Sequence, residues 1–313
     1  MEIMAYLWSL RGLSWRELAK RTCHRSWEDE VFGQAARLAF YYLLSMFPVL
    51  LLLLIALDKL ASPGSTGSNL RSTLLGAFQQ ILPQDASALI SKTLGELNAG
   101  AVVGAGAVYA GLASAWGALN GTWAMIAGLN KAYEVKEDRP WWKVLSIAIG
   151  LTLSLGIMGL LALGAMLYGS GAWKTIDRNL GIDTHSPFLG HILQWAATAI
   201  LLFFSLALLY RFGPSLNDRR WQWSIPGAVV AVALWVASTM LLRVYQNHFS
   251  SQRIYGGLNA VVALLFWLYF TGAAIFIGGE ANSEIEKAAA KAHRAVAGRS
   301  GERRSRGEGN STN

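Results

Sequence analysis

The residues that could do enzymatic chemistry are few in this chain, and their spacing forms no familiar catalytic motif. The five histidines show neither the H-E-x-x-H pattern of zinc peptidases nor another close metal-ligand spacing. Cys23 is the only cysteine, so an intrachain disulfide and a cysteine-rich metal site are both excluded. A Gly-x-Ser-x-Gly nucleophile elbow is also missing from the sequence. We therefore expect a protein that is not an enzyme and that needs no cofactor.

The nearest approach to a phosphate-binding loop lies at residues 171–175. There Trp173 stands where a glycine must let backbone amides approach a phosphate, directly before Lys174. The stretch beginning at Gly104 and Gly106 lacks the third glycine of a dinucleotide fingerprint, because Tyr109 takes that place. We expect no ATP-hydrolysing motor in this chain.

Long apolar blocks dominate the sequence, which is 53% hydrophobic and only 15% charged. A helix needs about 20 apolar residues to cross the ~30 Å hydrocarbon core, where lipid offers no partner to an unpaired backbone amide. Six blocks fit this requirement, at residues 35–57, 101–128, 144–168, 188–210, 225–242 and 258–279. We predict an all-α, polytopic integral membrane bundle of about six transmembrane helices over residues 35–286.

The distribution of Lys and Arg predicts the orientation of these spans. Nineteen of the 27 lie in the amino-terminal segment, the second and fourth loops and the carboxyl-terminal tail, and seven lie in the other loops. Because Lys and Arg resist translocation, the side with nineteen should face the cytoplasm. We predict that both termini are cytoplasmic.

Three segments outside the spans have their own character. Residues 1–34 include a Trp-rich amphipathic stretch that predicts a helix on the inner leaflet or a simple lead-in to the first span. Residues 58–100 form a long outer loop with leucines at helical spacing, which predicts two short helices broken near Pro83. Residues 287–313 form a basic tail that begins as an Ala/Lys helix and then becomes too polar to fold.

Polar residues at membrane depth are costly, so each is a candidate functional residue. Arg37 lies one turn into the first span and could reach the headgroups or pair with a carboxylate. Pro48 interrupts the same span and frees a backbone carbonyl. Asn120 could bind a substrate headgroup or bridge two helices, the use that its type favours. Glu280 closes the sixth span, where a structural ion pair with Arg37 is the leading interpretation.

Glycines suggest further transport or packing roles. Tyr255, Gly256 and Gly257 precede the sixth span and form either a hinge or a tight turn. The small-residue motifs Gly100-x-x-x-Gly104 and Gly117-x-x-x-Gly121 favour internal helix packing, with a homo-oligomer contact as the alternative.

Basic loop residues point to a membrane partner rather than to nucleic acid. Lys136, Arg139, Arg219 and Arg220 flank the spans on the side predicted to be cytoplasmic, where they would contact anionic lipid headgroups. A solvated, positively charged rim with no ligand is the simpler alternative.

The sequence closely resembles the YihY/virulence factor BrkB family of bacterial inner-membrane proteins. The resemblance rests on AARLAFYYLLSMFPVLLLL at 35–53, ALNGTWAMIAGLNKAYEV at 118–135 and YGGLNAVVALLFWLYFTGAAIFIGGEANSEIE at 255–286. Two glycines depart from the family pattern, which implies a bulkier residue in place of Gly213 before Pro214 and alanine in place of Gly279 before Glu280.

The resemblance implies a role in envelope integrity or in moving lipid-like molecules across the inner membrane. It also brings an older ribonuclease label, which clustered His and Asp ligands would have to support and which this sequence does not. We expect a carrier or flippase-like transporter of an amphipathic or anionic lipid without its own ATPase. A non-transporting scaffold for envelope assembly is the alternative.

Overall fold

A computed structural model of the chain describes residues 14–60, 76, 87–88, 91–92, 105–180, 187–216, 221–248 and 258–308. Every regular element within these ranges is an α-helix. The helices are α1 (Trp15–Glu28), α2 (Val31–Leu60), α3 (Ala105–Ala132), α4 (Trp141–Leu180), α5 (Pro187–Phe212), α6 (Trp221–His248) and α7 (Leu258–Glu308).

Four of these helices are long and apolar enough to cross a membrane. The segments are Trp141–Ala165 of α4, Gln194–Phe212 of α5, Ile225–Tyr245 of α6 and Ala260–Ala290 of α7. The other two predicted spans coincide with α2 and α3, which are 30 and 28 residues long. The class of helical membrane protein is therefore confirmed, and four of the six predicted spans are confirmed among the described residues.

The longest helix, α7, is central to the bundle. Its 51 residues would extend about 76 Å at 1.5 Å per residue, and it contacts α1, α2, α3 and α6. It also continues to Glu308, through much of the tail that was predicted to be too polar to fold. The difference has a physical reason, because extending an existing helix needs no new nucleation and the Ala, Lys, Arg and Glu residues of the tail favour helix.

Close helix contacts depend on residues without a side chain. A Cβ atom added at Gly117 of α3 would lie 2.5 Å from the Ser45 Cβ of α2, and one at Gly121 would lie 3.0 Å from Tyr42 Cε1. This motif therefore serves internal helix packing, as predicted. Gly100 and Gly104 lie outside the described residues.

The α6–α7 contact is equally close. A Cβ at Gly227 would overlap the Gly278 carbonyl oxygen, and one at Gly278 would overlap the hydroxyl of buried Tyr210. That hydroxyl donates a 2.7 Å hydrogen bond to the Ile275 carbonyl, while the Gly227 N–H donates to Asn282 Oδ1 at 2.6 Å. These two bonds fix the segment of α7 that carries Glu280 against α5 and α6.

The two departures from the family pattern border the same side chain. A Cβ at Gly213 would lie 3.0 Å from Leu129 Cδ1, and one at Gly279 would lie 2.7 Å from Leu129 Cδ2. Leu129 is fully buried. Its side chain fills the space that bulkier residues at these two positions would need.

Candidate functional site

Charged side chains from separate helices meet at one end of the bundle, which we call the charged end. It is formed by the last turns of α1, the α1–α2 turn at residues 29–30, the α3–α4 turn and residues 280–287 of α7. Arg25 Nη1 lies 2.7 Å from Glu134 Oε1, and Arg25 Nε lies 3.9 Å from Glu284 Oε1. Lys287 Nζ contacts the same two carboxylates at 3.1 and 3.2 Å. Two cations thus join α1, the α3–α4 turn and α7.

The local sequence explains why Arg25 reaches this network. Ser14 caps α1, since its Oγ accepts a hydrogen bond from the Glu17 N–H at 3.2 Å. The helix then presents Leu18, Thr22 and Ser26 on one buried face, which lies against α7. Leu18 is the only apolar member of that face. The side of the contact that α1 contributes is therefore mainly polar.

A cavity of about 220 Å³ opens between α1 and α7 at the charged end. Its walls carry more basic than acidic side chains, and each basic group has a carboxylate within 4 Å. The lining residues are Arg21, His24, Arg25, Glu284, Lys287 and Ala288. The carboxylate partners Glu17 and Glu134 are 45% and 43% exposed, so solvent can replace these contacts. Such a lining could accept an anionic group in place of the carboxylates.

Next to this cavity, Glu280 is fully buried and has no hydrogen-bond donor. Both of its carboxylate oxygens are unpartnered, as is Asp29 Oδ2 across from it in the α1–α2 turn. The Asp29 carboxyl group lies within hydrogen-bonding reach of Glu280, and the cations of Lys287 and Arg25 are close enough to act on it electrostatically. Two acceptors cannot satisfy each other without a proton or another cation between them.

A second cluster fastens the α3–α4 turn to the end of α5. Arg139 Nε and Nη2 donate to the two Glu137 carboxylate oxygens at 2.6 and 2.5 Å, and Nη2 also donates to the Gly213 carbonyl at 2.9 Å. Asn130 Nδ2 donates to Glu137 at 2.8 Å, and Asn130 Oδ1 accepts from the Ser215 N–H at 2.8 Å. The hydrogen bonds from Arg139 hold the pKa of Glu137 down at about 2.

Two glutamates near these clusters adopt a backbone conformation that L residues rarely adopt. Glu30 has φ +53° and Glu134 has φ +52°, and among the described residues no other non-glycine residue has a positive φ. Both carboxylates bind cations on other elements, Glu30 through Lys131 Nζ at 2.8 Å and Glu134 through Arg25 and Lys287. The strained turns thus carry side chains that hold the charged end together.

The structure separates Arg37 from Glu280, so the predicted ion pair between them is wrong. Arg37 is exposed and makes no ion pair with the described residues, whereas Glu280 faces Asp29 in the interior. The reason is the register of α2, whose buried face carries Ala35 and Leu38 and leaves Arg37 on the outside. Extension to the headgroups is the remaining interpretation of Arg37.

The other predicted residues within the spans have local roles. Asn120 Nδ2 donates to the Trp116 carbonyl of its own helix at 2.7 Å, so the predicted bridge to a second helix is not formed among the described residues. A carbonyl one turn back is the nearest acceptor for a short amide side chain on a helix. Pro48 lies within α2, which continues through it to Leu60. Tyr255, Gly256 and Gly257 lie outside the described residues.

The predicted lipid contacts divide into two groups. Lys136 is exposed in the α3–α4 turn and is free to meet headgroups. The Arg139 side chain is only 8% exposed and is held by Glu137 and by main-chain carbonyls, so its predicted lipid contact is replaced by an internal one. Arg219 and Arg220 lie outside the described residues.

Sequence reasoning missed the partners that make the charged end a site. Asp29 and Glu134 lie in connecting turns and Arg25 lies in the last turn of α1, and nothing local marks them as neighbours of α7. A signal did exist on α7, because Glu280, Glu284 and Lys287 follow each other at i, i+4 and i+7 and so share one helix face. Charged residues on one face of an otherwise apolar helix indicate a polar partner.

The fold and this site define a helical integral membrane protein with a charged, partly buried end and a small polar cavity. The chain belongs to the family described as Virulence factor BrkB, whose model matches residues 22–301.

Relatives support the membership. YfkH of Bacillus subtilis (strain 168), whose name calls it ribonuclease-like, is 28% identical over 260 residues, which is 82% of this chain and 90% of that protein. A UPF0761 membrane protein of Xanthomonas oryzae pv. oryzae (strain PXO99A) is 24% identical over 266 residues. The match covers 82% of this chain but only 58% of that relative. No solved structure matches the chain.

Proposed function

We propose that this protein carries an amphipathic lipid with an anionic headgroup across the bacterial inner membrane, without an ATPase of its own. The observation that supports the proposal most is the cavity between α1 and α7, with its basic lining at one end of an apolar bundle. Arginine binds phosphate through two parallel hydrogen bonds, and Arg21 and Arg25 both line this cavity.

The size of the cavity supports a headgroup site rather than a site for a whole lipid. Its volume of about 220 Å³ is below the roughly 300–1,000 Å³ of sites that enclose drug-sized ligands. The acyl chains would then lie along the outside of the bundle, where large apolar side chains such as Leu153, Leu160 and Phe204 are exposed. This is the arrangement expected when a headgroup moves through a polar path and the chains stay in lipid.

Under this proposal the charged end faces the cytoplasm, because the Lys and Arg residues are concentrated in the segments of the chain that form this end. Lys136, exposed in the α3–α4 turn, would add a contact with anionic headgroups at that surface.

A scaffold that organises envelope assembly is the competing function. The close α6–α7 contact at Gly227 and Gly278 favours it, because a bundle that locks together there has little room for a lipid to pass. The two functions differ in whether lipid moves.

A transport assay separates them. The purified full chain would be reconstituted into liposomes containing an acyl-chain-labelled anionic lipid, and a membrane-impermeant reductant would quench the outer-leaflet label. We expect the protein to increase the fraction of label that becomes accessible, relative to protein-free liposomes. Quenching that stops at the outer leaflet in both samples would refute the carrier and leave the scaffold.

A further inference from the structure

The contact between α1 and α7 contains several buried oxygen atoms that have no hydrogen-bond partner. Thr22 Oγ1, Ser26 Oγ, Asp29 Oδ2 and both Glu280 carboxylate oxygens are buried and make no hydrogen bond. Thr22, Ser26 and Asp29 follow each other at i, i+4 and i+7, so they lie along one face of α1 and its end. Unpartnered buried acceptors are costly, and natural proteins leave few of them.

The charges around Glu280 do not balance. The cations that act on it are Arg25 of α1 and Lys287 of α7, and the tyrosine facing it from the end of α3 is Tyr133. Arg25 and Lys287 are both in contact with Glu134 and Glu284. Asp29 and Glu280 are thus left without a cation of their own among the described residues.

We propose that the seam between α1 and α7 binds one positive charge between the Asp29 and Glu280 carboxylates, with the Ser26 hydroxyl one turn away on α1. The bound species is either an exchangeable proton or a hard monovalent cation of the sodium class, since both are held by oxygen ligands alone. Besides the proximity of two acids, Glu280 is fully buried and both of its carboxylate oxygens are unpartnered. The site would bind this charge whether or not the protein transports lipid.

Occupancy of the site would hold α1 against α7. The buried face of α1 offers a single apolar residue, Leu18, so apolar burial supplies little of the attachment. Without the bound charge, the repulsion between Asp29 and Glu280 would act directly between the α1–α2 turn and α7. With it, the same two groups become a bridge.

Hydrogen–deuterium exchange of the full chain in lipid nanodiscs tests the site. The amides of residues 15–28 would be followed by mass spectrometry in sodium chloride or choline chloride at equal ionic strength, over a series of pH values. If the site binds a metal cation, sodium slows exchange at constant pH. If it binds a proton, the protection of these amides, meaning the measured rate corrected for the intrinsic exchange rate at each pH, increases as the pH falls in choline chloride.

Two neutralising variants and one control make the result specific. Glu280→Gln and, separately, Asp29→Asn remove the repulsion, so we expect α1 to stay protected and its dependence on sodium or pH to be lost. Glu17→Gln changes an exposed acid of α1 that pairs with Arg21 and should leave the dependence intact. The proposal is overturned if the corrected protection of α1 in the unaltered chain is the same under all conditions, or if both neutralising variants keep its response.

Discussion

Substitution of Arg139 should weaken the fold more than any other change to a basic residue of the α3–α4 turn. Its side chain is 8% exposed, and Arg139→Gln would remove two charge-assisted bonds to Glu137 together with the bond to the Gly213 carbonyl. Loss of one partner of a buried ion pair costs about 3–5 kcal/mol. Glu137 is 30% exposed and water can solvate it, so we expect a cost near the lower end, about 3 kcal/mol.

The assay is thermal unfolding of the purified protein in detergent, followed by tryptophan fluorescence. Because membrane proteins often unfold irreversibly, apparent Tm values would be compared at one scan rate. Arg139→Gln should lower the apparent Tm by several degrees, and Arg139→Lys should recover only part of the loss, since an ammonium group lacks the planar fork that reaches the carboxylate and the carbonyl together.

Lys136→Gln is the matched control, because Lys136 is exposed in the same turn and its loss should leave the apparent Tm unchanged. An Arg139→Gln protein as stable as the unaltered chain would refute the reasoning. Full recovery by Arg139→Lys would show that charge alone matters there.

Three further predictions concern the fold and its charges. The folded-state pKa of Glu137, about 2, lies below its ordinary value of 4.5, so ionised Glu137 stabilises the fold fully above pH 4.5 and this contribution is lost as the pH falls towards 2. The apparent Tm of the unaltered protein should therefore fall over this range relative to that of Glu137→Gln, which has no such contribution at any pH. Parallel pH profiles of apparent Tm for the two proteins would contradict this. Gly278→Ala should lower the free energy of unfolding by about 1–3 kcal/mol, because the added Cβ would overlap the hydroxyl of buried Tyr210. Gly156→Ala should leave stability unchanged, because the space around Gly156 is open. Equal unfolding temperatures for the two variants would refute the close contact at Gly278. The changes in stability caused by Arg37→Gln and by Glu280→Gln should add to within about 0.5 kcal/mol in a double-mutant cycle, and a larger coupling would indicate the ion pair that the structure does not form.

The helical membrane class could be predicted from the sequence, because each spanning helix depends only on the length and apolar character of its own segment. An apolar run of the right length has few alternatives to a spanning helix, and four such runs coincide with long helices in the structure. The internal use of Gly117 and Gly121 could also be predicted, since two glycines four residues apart make a smooth helix face.

The candidate site could be predicted only in part, because it depends on contacts between distant segments. Glu280 is costly inside a span and so was identified from its position alone. Its partner was not, because Arg37 and Asp29 both lie near the start of α2 and only the rotation of that helix decides which of them faces inward. Arg139 likewise appeared to be a surface cation until the end of α5 was placed beside it.

The measurement that tests the central claim most directly is the lipid-transport rate of two neighbouring charge variants of α1. Arg21 lines the cavity between α1 and α7, whereas Lys20 is exposed on the same helix and does not line it. In liposomes with a labelled anionic lipid, we expect Arg21→Gln to slow transport strongly and Lys20→Gln to transport at the rate of the unaltered chain. Equal rates for the two variants, whether both are unchanged or both reduced, would contradict the claim that this cavity receives the headgroup.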